Sequence, residues 1–111
     1  MSGTSAPLRV RVARERGGAT VVVVAGELDL ATAGGLRTRL ATLAEHDPPA
    51  RVVLDLAGLD FVDASGISVL LAAQRALRDR GGALVLRSPS RMVRKVLRLL
   101  DLDEVLPVER P

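Results

Sequence analysis

Apolar and polar residues alternate with a period of two near the start of the chain. Over residues 8–12 every second residue is apolar, which is typical of a half-buried β-strand. Residues 20–25 are instead almost all apolar, so they predict a strand in the interior of a sheet. Gly17 and Gly18 stand between the two runs and predict a hairpin, which makes the first two strands antiparallel.

Helical periodicity follows and then alternates with short β-rich runs. Leu36, Leu40 and Leu43 repeat at helical spacing, and Asp29 or Thr32 is the predicted cap of that helix. The elements predicted after the hairpin are a helix over about 31–46, a strand over 51–56, a loop over 57–64, a helix over about 65–80, a strand over 83–86, a helix capped by Ser90 that runs to about 100, and a short edge strand over 105–108.

The predicted order of elements, ββαβαβαβ, defines an α/β protein. The connections after the second strand are long enough for right-handed βαβ units, so we expect a mixed, mainly parallel sheet packed with helices. A chain of 111 residues is long enough for one hydrophobic core and too short for two. We expect one domain over residues 8–108. Residues 1–7 are small and polar, and we expect them to be disordered.

Composition excludes several classes of function. The chain has no cysteine, which excludes disulfides, thiolate metal sites and cysteine nucleophiles. Phe61 is the one aromatic residue, so stacking surfaces for bases or sugars are missing. The net charge of +3 comes with arginines spread among acids, which favours a solvated surface over DNA binding. No apolar run has the length of a membrane span and no signal peptide is recognisable, so we expect a cytoplasmic protein. We separately expect neither a cofactor nor a bound metal.

The segment over residues 54–71 carries the functional information. A buried strand ends there, a loop with aspartates follows, and a helix begins near Ser65 and Gly66. The free N–H groups and positive dipole end of a helix start favour a phosphate, and we expect Gly66 to leave the Ser65 hydroxyl open to a partner. The local sequence fits a plain helix cap as well, supplied either by Ser65 or by Asp63 with Ser65 at the second helical position.

Three motifs resemble, in their order and spacing, those of the STAS-domain anti-sigma factor antagonists. Along the chain they are GELD and ATA within residues 26–33, FVDASGI with LDL before it and VLL after it, and VLRLLDLDEVLPV at residues 96–108. The likeness covers about residues 8–108. One departure is Asp101, where the family usually has Gly at a helix end; Asp tolerates left-handed geometry less well than Gly.

The resemblance implies a single STAS-type domain that acts as a protein-binding switch and not as an enzyme. Ser65 matches the serine that is phosphorylated by an anti-sigma factor acting as an ATP-dependent serine kinase. Asp63 matches the acid that orients this loop and assists phosphorylation or binding, and Asp29 an acid near the same surface. The unphosphorylated form binds the anti-sigma factor and releases a sigma factor, phosphorylation switches binding off, and a serine phosphatase resets the protein. The residues expected at the partner are Asp29, Asp63, Ala64, Ser65, Gly66, Ile67 and Val69.

Two other interpretations stay open at this point. The domain could be a STAS subunit of a lipid transporter or a scaffold in a stress-sensing assembly, and the neighbouring genes would distinguish these from the switch. A hydrolase or metal enzyme could gather Asp29, Asp60 and Asp63 around Mg²⁺. Against catalysis, His46 is the sole histidine, and neither a phosphate-binding loop nor a nucleophile elbow is present. The sequence does not determine which sigma factor is served or the oligomeric state.

Overall fold

Residues 7–45 and 51–109 are described by the structure, a computed structural model. Their helices and strands are, in order, β1 (Arg9–Arg14), β2 (Thr20–Leu28), α1 (Ala33–Ala44), β3 (Arg51–Val62), α2 (Ala64–Asp79), β4 (Ala83–Arg87) and α3 (Arg91–Leu99). The predicted disorder of residues 1–7 falls outside the described residues except at Pro7, and so does His46.

The strands form one mixed sheet in the order β1-β2-β3-β4. β1 pairs antiparallel with β2, whereas β3 pairs parallel with both β2 and β4. The predicted hairpin is present: the Glu15 amide donates to the Ala19 carbonyl over 2.9 Å, and Gly17 and Gly18 take positive φ angles between them. The predicted α/β class and the mixed, mainly parallel sheet are therefore confirmed.

The core lies between one face of the sheet and the helices. The chain steps from β2 to β3 to β4 in one direction, so right-handed crossovers place α1 and α2 on the same face, where they contact each other. Leu36 and Leu40 of α1 and Leu70 and Leu77 of α2 are buried against strand residues such as Leu54. The buried hydrophobic side chains are all aliphatic, because the one aromatic residue of the chain is exposed.

Strand β3 is longer than the sequence predicts. The sequence predicts a loop over residues 57–64, but β3 continues to Val62, which pairs with Leu28 at the end of β2. The β2–β3 register shifts twice along the way. Between these shifts Gly58 lies so close to Ala25 that a Cβ added to Gly58 would stand 2.9 Å from the Ala25 Cβ. A partner strand distant in sequence thus decides the conformation of this stretch, and the glycine is required by the close approach.

The predicted last strand over residues 105–108 is wrong in extent. A single parallel bridge joins Leu86 to Val108, and Leu106 is bonded instead to Leu102 as in a helical turn, over 2.9 Å. Pro107 has no N–H, so it contributes only its carbonyl, which accepts from the Leu86 amide over 2.9 Å. The segment therefore covers the edge of β4 at one point without becoming a strand of the sheet.

The helix starts match the sequence prediction for α3 and differ from it for α1. Helix α1 begins at Ala33, two residues later than predicted, and its N-cap residue Thr32 makes no side-chain capping hydrogen bond to the helix. Ser90 caps α3 as predicted: its hydroxyl accepts from the Val93 amide over 3.2 Å. At the other end of α3, Asp101 takes the left-handed conformation, with φ of 58°.

Candidate functional site

The carboxyl ends of β2 and β3 meet at one edge of the sheet, and α2 begins there. Since Leu28 pairs with Val62, Asp29 and Asp63 leave the two strands side by side. The Asp63 amide donates to the Leu28 carbonyl over 3.2 Å, which ties the end of β3 to the end of β2. Ser65 follows in the first turn of α2, so the structure brings Asp29, Asp63 and Ser65 to this one edge, which we call the carboxyl edge.

Asp63 supplies the cap of α2. Its Oδ1 accepts from the Gly66 amide over 3.1 Å, and its carbonyl accepts from the Ile67 amide over 3.0 Å. Of the two caps that the sequence leaves open, the structure therefore has Asp63, with Ser65 at the second helical position. Ser65 is partly exposed, and the carboxylate beside it is held in place by the backbone.

Asp29 organises the turn that joins β2 to α1. Its Oδ1 accepts from the Ala31 amide at 3.0 Å, the Thr32 amide at 3.1 Å and the Thr32 hydroxyl at 3.2 Å. The Thr32 hydroxyl is also 2.8 Å from the Glu27 carbonyl and 3.0 Å from the Asp29 amide. Both residues proposed as caps from the sequence thus contribute to a single turn, which presents the chain beside Ser65 in a fixed conformation.

Gly66 has a different role from the one that the sequence suggests. The sequence suggests that it leaves the Ser65 hydroxyl open, but Gly66 is buried beneath the first turn of α2. A Cβ at this position would stand 2.7 Å from Leu28 Cγ and 2.7 Å from Val62 Cγ2. The glycine therefore allows α2 to begin directly on top of the last residue pair of β2 and β3, and this close approach positions Ser65.

The predicted partner-contacting residues divide into a surface set and a core set. Ala64 is exposed, and Asp29, Asp63 and Ser65 are partly exposed. Ile67 and Val69, by contrast, are 5% and 2% exposed and belong to the hydrophobic core. Their side chains, like Gly66, face the interior because the helix turns them toward the sheet, so direct contact with a partner does not fit the folded chain for these three.

Two apolar side chains that the sequence analysis does not select lie at the same edge. Leu30, directly after Asp29, is 81% exposed, and Phe61, two residues before Asp63, is 43% exposed. Large apolar side chains at a surface are informative when they cluster beside a candidate site. The sequence signal for Leu30 is a large apolar residue between Asp29 and Thr32, in a turn where its side chain cannot reach the core.

The carboxyl edge is acidic. Glu27, Asp29, Asp60 and Asp63 lie at or next to the strand ends, and neither residues 26–36 nor residues 57–74 contain a lysine or an arginine. Within the described residues, no group of three side chains of the metal-ligating types comes together. The carboxylates of Asp29 and Asp63 accept backbone amides instead. The convergence of Asp29, Asp60 and Asp63 that the Mg²⁺ interpretation expects is therefore not found among the described residues.

The chain belongs to the STAS domain family, whose model matches residues 11–110. Two relatives are named anti-sigma F factor antagonists. The one from Paenibacillus polymyxa is 26% identical over 91% of this chain and 86% of its own length. The one from Lysinibacillus sphaericus is 31% identical over 75% of this chain and 72% of its own length.

Solved structures extend the likeness to three dimensions. An anti-sigma factor antagonist from Mycobacterium paratuberculosis superposes with a TM-score of 0.82 and 27% identity, covering 97% of this chain and 92% of that one. The Bacillus cell fate determinant SpoIIAA in its phosphorylated form has a TM-score of 0.72 at 22% identity, with 92% of both chains covered. The murine anion transporter Slc26a9 matches over 78% of this chain and 14% of its own, with a TM-score of 0.68 at 22% identity. The last two likenesses show the shared fold alone.

None of the helices in residues 7–45 and 51–109 combines the length and the apolar character needed to cross a membrane.

Proposed function

We propose that this chain is an anti-sigma factor antagonist controlled by phosphorylation of Ser65. Without phosphate, its carboxyl edge binds an anti-sigma factor that is also a serine kinase, and a sigma factor is released. With phosphate on Ser65 the binding is lost, and a serine phosphatase restores it. The observation that carries the proposal is the partly exposed serine in the first turn of α2, beside Asp29 and Asp63, in a chain whose relatives are named anti-sigma factor antagonists.

The phosphorylation step uses the position of Ser65 on a rigid support. The Ser65 Oγ attacks the γ-phosphorus of ATP bound to the partner, the new O–P bond forms, and the bond from the γ-phosphorus to the bridging oxygen breaks to leave ADP. A base or water in the complex takes the hydroxyl proton. Positioning dominates such a reaction. Here the Asp63 cap and the Gly66 contact with Leu28 hold the first turn of α2 against the sheet.

Electrostatic repulsion accounts for release after the transfer. Phosphorylation adds about −1.5 to −2 charge to an edge that already carries four acids. The nucleotide phosphates that remain in the partner then face the new group. At a separation of about 6 Å and an effective dielectric near 20, each pair of unit charges costs roughly 3 kcal/mol, which is about a hundredfold in affinity. A change of fold is not needed for a switch of this size.

The apolar part of the proposed binding surface consists of Leu30, Phe61 and Ala64. Leu30 and Phe61 flank the two aspartates in sequence and are exposed in the described structure. Burial of such side chains at the centre of an interface gives affinity that charge alone does not provide. The proposed surface thus combines exposed apolar side chains with a phosphorylatable serine at the same edge of the sheet.

The first prediction concerns Ser65 itself. Incubation of the wild-type protein with ATP and a lysate of its source bacterium is expected to add one phosphate, and Ser65→Ala is expected to add none. Intact-mass spectrometry measures the gain. Ser68→Ala is the matched control, because Ser68 is an exposed serine one helical turn further along α2. A gain that survives Ser65→Ala and disappears in Ser68→Ala would contradict the assignment.

The same experiment separates the switch from the scaffold interpretation. A scaffold or transporter-associated domain is expected to gain no phosphate in a lysate that does phosphorylate another antagonist of this family. Immobilised protein then tests binding: the anti-sigma factor is expected to be retained by the wild type and by Ser65→Ala. Ser65→Glu places a negative charge at the same position, so this variant is expected not to retain the anti-sigma factor.

A further inference from the structure

The two edges of the sheet differ in how their backbone groups are satisfied. On β4, the Leu84 amide donates to Gln74 Oε1 and the Leu84 carbonyl accepts from Gln74 Nε2, both over 2.8 Å. The Leu86 amide donates to the Pro107 carbonyl over 2.9 Å, and the Leu86 carbonyl accepts from the Glu109 amide over 2.7 Å. The outward backbone groups of Leu84 and Leu86 are thus paired within the chain, and this edge is closed.

The edge at β1 is open. The Glu15 amide bonds to the Ala19 carbonyl at the hairpin, and paired and unpaired positions alternate along an antiparallel ladder. The backbone groups of Val10, Val12 and Arg14 therefore face away from β2. Across residues 7–45 and 51–109, no other element donates to or accepts from these groups. An open edge of this kind is a template for one more strand.

The excess positive charge of the chain lies on this edge. Residues 9–16 hold four arginines and one glutamate, while the rest of the chain holds twelve basic and twelve acidic residues. The net charge of +3 therefore belongs to this segment, although arginines occur throughout the chain. Every residue of β1 except Val10 is exposed. The single glutamate, Glu15, is bound by Arg87 over 3.1 Å, so its charge is already compensated.

A shallow groove accompanies the open edge. Arg9 and Arg11 pair with Ala25 and Val23, which places these four side chains on one face of the sheet. Together with Val10 they line a cavity of about 290 Å³. The groove lies over the β1–β2 pair, with Val23 and Ala25 on the β2 side and Arg9 and Arg11 on the β1 side. Neighbouring same-face positions on a strand are about 7 Å apart, so a strand with acids at alternate positions would present them at the spacing of Arg9 and Arg11.

We propose that β1 accepts an acidic, extended segment of another protein as a fifth strand of the sheet. The outward N–H and C=O groups of β1 would form the hydrogen bonds to the added strand. Arg9 and Arg11 would favour acidic side chains on that strand. A second copy of this chain is disfavoured, because it would bring two segments of charge +3 together. Nucleic acid offers charge but no alternating N–H and C=O groups to complete the ladder. This surface is separate from Ser65, and its test does not depend on the proposed switch.

The experiment uses the whole chain and two synthetic octapeptides of equal charge. One alternates Thr and Glu and can join a ladder; the other alternates Pro and Glu and stays extended without the amides that a ladder needs. The Thr–Glu peptide is expected to bind and to slow hydrogen exchange at the Val10 and Val12 amides, as measured by NMR. Equal binding of the Pro–Glu peptide would overturn the proposal, since charge alone would then explain it.

Variants of the chain separate charge from backbone. Arg9→Glu combined with Arg11→Glu is expected to weaken binding of the Thr–Glu peptide about tenfold or more. Arg37→Glu combined with Arg39→Glu changes the net charge equally at exposed positions of α1 and is expected to change the affinity less than about twofold. Val12→Pro removes an outward amide without touching the β2 ladder and is expected to abolish binding. Unchanged binding in Val12→Pro, or a single-stranded oligonucleotide that protects these amides when the peptide does not, would overturn the proposal.

Discussion

Helices α2 and α3 end with the same pattern of hydrogen bonds, but the left-handed residue is a glycine after α2 and an aspartate after α3. After α2, the Gly82 amide donates to the Leu77 carbonyl over 2.7 Å, and Gly81 takes φ of 84°. After α3, the Leu102 amide donates to the Leu97 carbonyl over 2.8 Å, and Asp101 takes φ of 58°. Both are the closing pattern in which a left-handed residue follows the helix. The resemblance to a family that usually has Gly at this helix end indicates left-handed geometry at Asp101, and the structure has it.

Asp101→Gly is expected to stabilise the protein by about 0.5–1 kcal/mol, because it relieves a side chain held in the left-handed region. Urea unfolding followed by circular dichroism measures the change. Gly81→Ala is the matched control at the equivalent position of α2 and is expected to destabilise by about 1 kcal/mol. If Asp101→Gly were neutral or destabilising, the aspartate side chain would have to make a compensating contact.

Gly66 gives a second prediction at the scale of one residue. Gly66→Ala adds a methyl group 2.7 Å from side-chain atoms of Leu28 and Val62, both buried. Overpacking of this kind costs about 1–3 kcal/mol, more than the roughly 1 kcal/mol that alanine gains in a helix. We expect a lower unfolding midpoint in urea. Gly35→Ala in α1, where the new methyl group meets nothing within 4 Å, is expected to stabilise instead.

At the scale of elements, the sequence predicts what local periodicity determines. Helices α1, α2 and α3 follow from leucines and valines at helical spacing. The structure confirms Ser90 as the cap of α3 and has Asp63, one of the two candidate caps, at the start of α2. The elements that depend on a distant partner are the ones that differ. Residues 57–62 are a strand because β2 lies beside them, and residues 105–108 fail to become one because Pro107 lacks a donor. Periodicity within one segment contains neither fact.

Whether a residue of the candidate site is buried also depends on how the elements pack together. FVDASGI indicates the position of the candidate site, and Asp63 and Ser65 lie together at the carboxyl edge. Whether Ile67 and Val69 face a partner or the core depends on how α2 is rotated on the sheet. That rotation is determined by the contact of Gly66 with Leu28, a residue 38 positions earlier in the chain. Only the folded structure supplies this information.

Gln74 joins three elements, and its removal tests how much that junction contributes. The side chain is 2% exposed; it bonds both backbone groups of Leu84, and its Nε2 lies 2.7 Å from the Val105 carbonyl. Gln74→Leu keeps the volume but leaves buried polar groups of β4 without partners, so we expect a loss of about 2–4 kcal/mol in unfolding free energy. Faster hydrogen exchange at the Leu84 amide is the specific signature. Arg75→Leu, at the exposed neighbouring position, is expected to change stability by less than about 0.5 kcal/mol.

At the scale of the whole molecule, acidic and basic residues are concentrated in different segments of the chain. The carboxyl edge around Ser65 is acidic, and the β1 segment carries the basic excess. Arg87 connects distant parts of the fold: its guanidinium bonds Glu15 at the hairpin and Glu109 after the β4 bridge, the latter over 2.7 Å. The hydrogen bond from Arg87 lowers the pKa of Glu109 below its ordinary value of 4.5, and the two acids raise the pKa of Arg87.

This ion pair predicts a pH dependence of stability. Because the folded-state pKa of Glu109 is depressed, its contribution is present above the ordinary value of 4.5 and is lost as the pH falls through the lower folded-state value. Glu109→Gln is therefore expected to lower the urea midpoint near neutral pH and to match the wild type once the pH has fallen below the depressed folded-state pKa of Glu109. A difference that stays constant across this range would contradict the assignment. Glu104→Gln, at an exposed position in the same segment, is the charge-matched control.

The closed β4 edge has a consequence for stoichiometry. Open-ended growth by strand addition requires two free edges on each molecule, one to receive and one to offer. Among the residues that the structure describes, Gln74 and the segment around Val108 occupy the β4 side, which leaves the β1 side to receive a strand. Addition at β1 therefore ends after a single event. Any assembly built through this sheet is limited to one occupant per molecule, and a fibre of repeated copies cannot form along it.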